Sequence, residues 1–219
     1  MIPKEKGNSY LVVALALIIV ATQAVFLGTA SFAERREKES KTVQSYLETM
    51  EYGDYSKDNI DILAKKYNVE PEYLNYLVEV EKEFELEPYE LMALIAQESE
   101  FRSITHMDGG SLSYNTTQMK LPTAETSHMA ITQYYNLDIA YPTHELLAED
   151  KYYAALLAGG YLRYLHDTYK DRYESYTAYR MGISGRMVFY DQNGHFKSPY
   201  ALKIVELTNS FSREGIRVK

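Results

Sequence analysis

Cysteine is absent from the 219 residues. That removes disulfide staples, thiolate zinc sites and a cysteine nucleophile, so any core must hold by burial alone. Basic charge is also in deficit: Lys and Arg total 23 against 31 Asp and Glu, a net charge of −8. The first 33 residues carry two Lys and one Glu, which leaves −9 on the remainder. A surface that tracks phosphates needs clustered Lys and Arg, so nucleic acid is not expected as a partner. The histidines at 106, 128, 144, 166 and 195 lack a paired ligand spacing such as H-E-x-x-H, so no metal site is expected. No phosphate-binding Gly loop or nucleophile elbow is present, and no cofactor is expected. Asp191-Gln192-Asn193-Gly194 begins like a calcium loop, but its Gly comes fourth rather than sixth and reads as a turn. Asn115-Thr116-Thr117 matches a glycosylation tripeptide to which the rest of the chain gives no role. Strand-like alternation is scarce, and the class reads as mainly α.

What the chain does contain begins with a long apolar run. Leu11 to Phe32 carries no charge and at about 1.5 Å rise per residue is long enough to span the hydrocarbon core of a bilayer. Residues 1–33 therefore read as a transmembrane anchor. Ser31-Phe32-Ala33 would also pass as a small-residue cleavage site, which keeps a cleaved signal peptide as the alternative. Arg35, Arg36, Lys38 and Lys41 follow the run, and a strict Lys/Arg count would hold that flank on the cytoplasmic side. An exported domain is expected instead on the chemistry below. Residues 34–56 are too poor in apolar positions for a core-facing stripe and read as a charged spacer.

From Ser56 onward the pattern is helical. Ile60, Leu63, Ala64 and Tyr67 recur at helical spacing after a Ser/Asp-rich start. Val69-Glu70-Pro71 and Leu86-Glu87-Pro88 read as two similar helix openings, each with Pro in a first turn that needs no N–H. Residues 103–118 hold Asp108, Gly109, Gly110, Ser111, Ser113 and Asn115, a composition for a loop or short hairpin. Pro122 opens a helix to about Tyr135, and a further helix is predicted from about Glu145 to His166. Gly159 and Gly160 inside it would permit a close helix crossing. Another helix is predicted over Tyr169 to Arg180, then a turn at Gly182 to Gly185, then a last helix from Pro199 to about Phe211.

Ala96-Gln97-Glu98-Ser99-Glu100-Phe101 puts a carboxylate at the end of an apolar helix, immediately before the Gly/Ser-rich loop. A Glu held against apolar walls loses water, its pKa rises, and it can donate a proton to a leaving oxygen. Helix position alone does not single Glu98 out, because Glu81 occupies the matching place in the preceding helix. Glu81 lies in a charged run from Glu79 to Glu85 and reads as part of a solvated face.

The order of the later blocks separates the two. Glu98-Ser99-x-Phe101, the polar loop, Gln118-Met119, Leu121-Pro122-x-Ala124 and then Ala178-Tyr179-x-x-Gly182-x-x-Gly185 resemble the catalytic domain of the lytic transglycosylases. That family shares the goose-type lysozyme-like fold, and the resemblance covers about residues 84–211. The lead-in Leu86-Glu87-Pro88 matches as well. Where the family has Gly-Leu-Met before Gln, this chain has Asn115-Thr116-Thr117, and Arg180 stands where an Asn usually follows Tyr. Before Tyr200 stand Phe196, Lys197 and Ser198, where the family often has an acidic residue.

The resemblance implies a lysozyme-like domain over residues 57–219 acting on peptidoglycan glycan strands, outside the cytoplasmic membrane and tethered to it as a single-pass protein, or secreted if the leader is cut. It implies that Glu98 is the catalytic residue, acid and base in turn, cutting the bond between N-acetylmuramic acid and N-acetylglucosamine and closing a 1,6-anhydro ring. By the same resemblance Tyr179 would hydrogen-bond near Glu98 and the sugar. Ser99 would steady the carboxylate or bind substrate, and Gln118 and Met119 would line the cleft. Tyr200 is a weaker substrate-binding candidate, better suited to core or cleft wall. A cell-envelope assembly or secretion apparatus would be a compatible partner. Two alternatives stay open: a hydrolytic muramidase using Asp108 to activate water, and a non-catalytic glycan-binding or scaffold domain.

Overall fold

The computed structural model describes residues 54–217, with side chains through Arg213. The expected anchor, and the spacer as far as residue 53, lie outside the described residues. Among the described residues eight helices and three short strands follow one another: α1 Lys57–Tyr67, α2 Pro71–Glu83, α3 Glu90–Ser99, β1 His106–Asp108, β2 Ser111–Tyr114, β3 Met119–Lys120, α4 Leu121–Tyr134, α5 His144–Glu149, α6 Lys151–Tyr169, α7 Arg172–Asn193 and α8 Pro199–Arg217. The domain is mainly α, as the periodicity indicates. Among the described residues no helix is long and apolar enough to cross a membrane.

Helix α3 is the centre of the core. Leu91, Met92, Ala93, Leu94 and Ile95 are all fully buried, so the helix is enclosed on every side, as one that is apolar all round must be. Helix α8 packs on α3, α7 and α1, while α6 packs on α2, α4 and α7. The two glycines of α6 set these crossings. A Cβ on Gly159 would lie 2.5 Å from Val80 Cγ1 of α2, and one on Gly160 would lie 2.4 Å from Ile131 Cδ1 of α4. Both separations are far inside van der Waals contact, so the neighbouring helices can approach only because those side chains are missing.

Local chemistry places the helix ends. Ser56 Oγ accepts from Asn59 N at the start of α1, and Asp171 accepts from Glu174 N at the start of α7. The single helix expected over Glu145–His166 is in fact two. Asp150 is extended, and its carboxylate accepts from the backbone N–H groups of Tyr152 and Tyr153, both at 2.9 Å. It thereby ends α5 and restarts the chain as α6. The two Pro openings also differ. Pro71 sits in the first turn of α2, whereas Pro88 falls in a turn before α3, whose cap Tyr89 is left-handed.

The loop expected at 103–118 contains the hairpin. Strands β1, β2 and β3 form an antiparallel sheet in that order, with Asp108 opposite Ser111 and Tyr114 opposite Met119. Gly109 and Gly110, at φ 58° and 82°, supply the two consecutive positive φ angles of a tight two-residue hairpin. The turn expected over Gly182–Gly185 is concentrated in one residue. Gly182 has φ 75° and ψ 173°, a conformation essentially reserved for glycine, and helical geometry resumes directly after it. The chain bends there enough for Arg186 Nε to meet Glu174 Oε1 at 3.3 Å and for its guanidinium to cover the Tyr169 ring at 4.2 Å. The last helix runs on to Arg217 rather than stopping near Phe211.

Candidate active site

Glu98 occupies the last turn of α3, where the helix leaves the core. The chain then turns through two successive left-handed residues, Glu100 at φ 54° and Phe101 at φ 62°, and Asn115 and Gln118 in the facing loop are left-handed as well. Non-glycine residues at positive φ persist only where their surroundings fix them, and they gather at functional sites. Here the anchors are visible. Ser99 Oγ donates to Thr116 O at 2.7 Å, and Asn115 Nδ2 donates to Leu147 O and Ala148 O, both at 3.1 Å. The loop is thus pinned between the end of α3 and helix α5.

The Glu98 side chain is half-buried, and its Oε1 accepts a 2.5 Å hydrogen bond from the Tyr200 hydroxyl at the start of α8. Loss of water pushes its pKa above the usual carboxylate range. The Tyr200 hydrogen bond and then the positive charge of Arg180 oppose that rise, Asp108 adds to it, and His106 opposes it again. Helix α3 carries the carboxyl group and α8 bonds it, while the charges of Arg180 on α7 and Asp108 on β1 act on it. Asp108 is ion-paired to Lys120 of β3 at 3.1 Å, which holds its pKa low. Burial first, and the Glu98 charge next, drive the Tyr179 and Tyr200 hydroxyls far above the ordinary phenol range. Both remain protonated donors at any physiological pH.

No family model, curated protein or solved structure matches this chain.

The residues singled out from the sequence gather around this point in different capacities. Glu98 lies at the junction itself. Tyr200, ranked last from the sequence, makes the direct bond to it. Tyr179 instead donates to Thr117 O at 3.3 Å, bracing the loop from the α7 side while lying close enough to feel the Glu98 charge. Ser99 is buried and spends its hydroxyl on Thr116 O, with a longer contact to Ile95 O at 3.4 Å. It fixes the loop and does not reach the carboxylate. Gln118 Nε2 donates to Ile104 O at 2.8 Å and Asn115 O at 2.5 Å. Its Oε1 is buried without a partner among the described residues, as is the neighbouring Thr117 Oγ1. Met119, in β3, is buried at 2% exposure.

Glu81 departs from the solvated face expected of it. It is completely buried and accepts from Tyr55 Oη at 2.7 Å, Tyr89 N at 2.9 Å and Met92 N at 3.0 Å. Its carboxyl group caps the N-terminus of α3, where the helix dipole also favours negative charge. Burial pushes its pKa up to about 8 against the pull of these three donors. A second buried group, invisible in the sequence, sits at the same end of α3. Glu90 Oε1 accepts from Tyr176 Oη and pairs with His166 Nε2 at 2.8 Å. Desolvation works against the charge of Glu90, but the His166 contact and then the Tyr176 hydroxyl outweigh it and lower its pKa. Both groups belong to the start of α3, two turns from Glu98, and their work is structural. Among the described residues no three His, Asp or Glu side chains converge to hold a metal ion.

Proposed function

We propose that the described domain has a lysozyme-like fold and acts as a lytic transglycosylase on peptidoglycan, with Glu98 as its single general acid and base. The observation that carries this reading is the 2.5 Å bond from Tyr200 to a half-buried Glu98 whose pKa is raised by desolvation. It adds to the motif order a partly desolvated carboxyl group, whose neutral form burial favours and whose orientation a hydrogen bond fixes. With Oε1 occupied by the Tyr200 hydroxyl, Oε2 is left to hold the transferable proton. Glu98 gives that proton to the glycosidic oxygen as the bond to the muramoyl C1 breaks. The resulting carboxylate then takes the proton of the muramoyl C6 hydroxyl as its oxygen closes on C1. No water is consumed, and the carboxyl group ends protonated as it began. The partly desolvated setting favours the neutral acid in the first step, and the Tyr200 donor and the Arg180 charge steady the carboxylate formed between the steps.

One observation favours a second reading. The Asp108 charge acts on Glu98, and a second ionised carboxylate on the facing strand could activate water for hydrolysis. The products decide. The purified full chain should release 1,6-anhydromuropeptides from cell-wall sacculi, and Glu98→Gln should abolish the release with the fold intact. Reducing-end products lost in Asp108→Asn would establish the hydrolase. Binding to sacculi without any product would establish a non-catalytic domain. A membrane tether, an envelope location and a partner apparatus remain part of the same proposal.

A further inference from the structure

Helices α3 and α8 pack against each other in opposite directions and are tied together at both ends. At the site end the Tyr200 hydroxyl donates to Glu98 Oε1 at 2.5 Å. At the far end a single side chain of α1 reaches both helices. Asn59 Nδ2 donates to Phe211 O of α8 at 2.9 Å, with longer contacts to Ser212 O and to the hydroxyl of Tyr89, both at 3.3 Å. Tyr89 is the residue that caps α3. The two backbone carbonyls decide the orientation of the amide, since only its nitrogen can donate to them. Asn59 is buried at 2% exposure, and its Oδ1 has no partner among the described residues. The side chain therefore bonds through the nitrogen that faces α3 and α8. At about 1.5 Å rise per residue, Tyr89 to Glu98 spans about 14 Å and Tyr200 to Phe211 about 17 Å, so the clasp and the site lie at opposite ends of one helix pair. The stretches between are apolar: Leu91 to Ile95 of α3 and Ala201 and Ile204 of α8 are fully buried. Apolar burial has no preferred direction, whereas hydrogen bonds fix both distance and angle.

We propose that Asn59 is a positioning residue for Glu98: by clasping the far ends of α3 and α8 it sets how far one helix is slid along the other, and so holds the Tyr200 hydroxyl within bonding range of the carboxyl group. The effect on cleavage rests on the glycan-cleaving reading above; the effect on the Tyr200–Glu98 bond does not. Asn59 lies before residue 84, outside the stretch that carries the motif order, and acts only through Tyr200. The other groups that face Glu98 electrostatically are Arg180 and Tyr179 of α7 and Asp108 and His106 of β1. They belong to elements that the Asn59 amide does not bond.

The test is a carbon-13 NMR titration of the Glu98 carboxyl group in the full chain, in wild type, Asn59→Ala, Tyr200→Phe and the double variant. Asn59→Ala removes the amide donors. Loss of the clasp should lengthen the bond that favours the carboxylate, so Glu98 should titrate at higher pH than in the wild type, by less than in Tyr200→Phe. With Tyr200→Phe already in place, Asn59→Ala should add no further shift, because the bond it acts through is gone. Tyr89→Phe keeps the ring and loses the hydroxyl that Asn59 Nδ2 and Ser56 N both reach. It should move Glu98 in the same direction, and it carries the test alone where Asn59→Ala does not fold. A folded variant with a lower urea midpoint and an unchanged Glu98 titration would make the clasp purely structural and overturn the proposal. A shift of full size in the Tyr200→Phe background would overturn it as well. On sacculi the alkaline limb of kcat/KM should move with the titration. Absence of cleavage by the wild type would remove the catalytic reading and leave the titration to judge the clasp.

Discussion

Replacing Tyr200 with Phe deletes one hydroxyl and leaves the ring that fills the start of α8. In the native protein that hydroxyl donates at 2.5 Å to Glu98 and is one of the forces holding the Glu98 pKa down against desolvation. A hydrogen bond to a charged group is worth about 1.5–3 kcal/mol, and about 1.4 kcal/mol corresponds to one pKa unit. The donor serves the ionised form more than the neutral acid, so its loss should raise the Glu98 pKa further. The direct assay is a carbon-13 NMR titration of the Glu98 carboxyl group in wild type and Tyr200→Phe. If Glu98 must be protonated to begin the reaction, the alkaline limb of kcat/KM on sacculi moves up by the same interval, because the acid keeps its proton to higher pH. An unchanged or lowered Glu98 pKa in Tyr200→Phe would refute the assignment of Tyr200 as the donor that tunes the acid.

Other expectations concern the scaffold. Gly160→Ala and Gly159→Ala should each destabilise the domain by about 1–3 kcal/mol through overpacking against Ile131 and Val80, read as a lower urea midpoint at constant slope. Glu81→Ala strands three buried donors, Tyr55 Oη, Tyr89 N and Met92 N, and should cost about 3 kcal/mol or more. Glu81 also gives stability a pH dependence. Its folded pKa, raised from 4.5 to about 8, means the native state holds that proton more tightly than the unfolded chain. Its contribution is therefore greatest below the ordinary carboxylate pKa and is lost as pH rises toward the folded value. Denaturation midpoints of wild type and Glu81→Gln across that window should converge at the acid end, with the wild type losing relative stability toward the alkaline end.

Much of this architecture is written locally. Apolar spacing marks the helices, and the Gly159-Gly160 pair signals a close crossing because adjacent missing side chains inside an apolar helix have little other use. Helix position before the Gly/Ser-rich loop only nominates Glu98, and it is the order of the blocks after it that separates it from Glu81. The failures have a common cause in tertiary context. Glu81 looks like part of a charged run, yet its partners Tyr55 and Tyr89 come from other elements, and only packing turns it inward. Tyr200 lies 102 residues from Glu98, and no spacing rule links them. Asp150 could have been found, since an Asp between two apolar-periodic segments is a standard helix cap. Its neighbours' continuous periodicity obscured it.

Digestion of sacculi by the full chain, followed by mass analysis of the released muropeptides, tests the central claim most directly. The account predicts products lighter by one water than hydrolytic fragments, with a 1,6-anhydro end, and none from the Glu98→Gln protein at the same concentration. Anhydro products that persist undiminished in Glu98→Gln would contradict it.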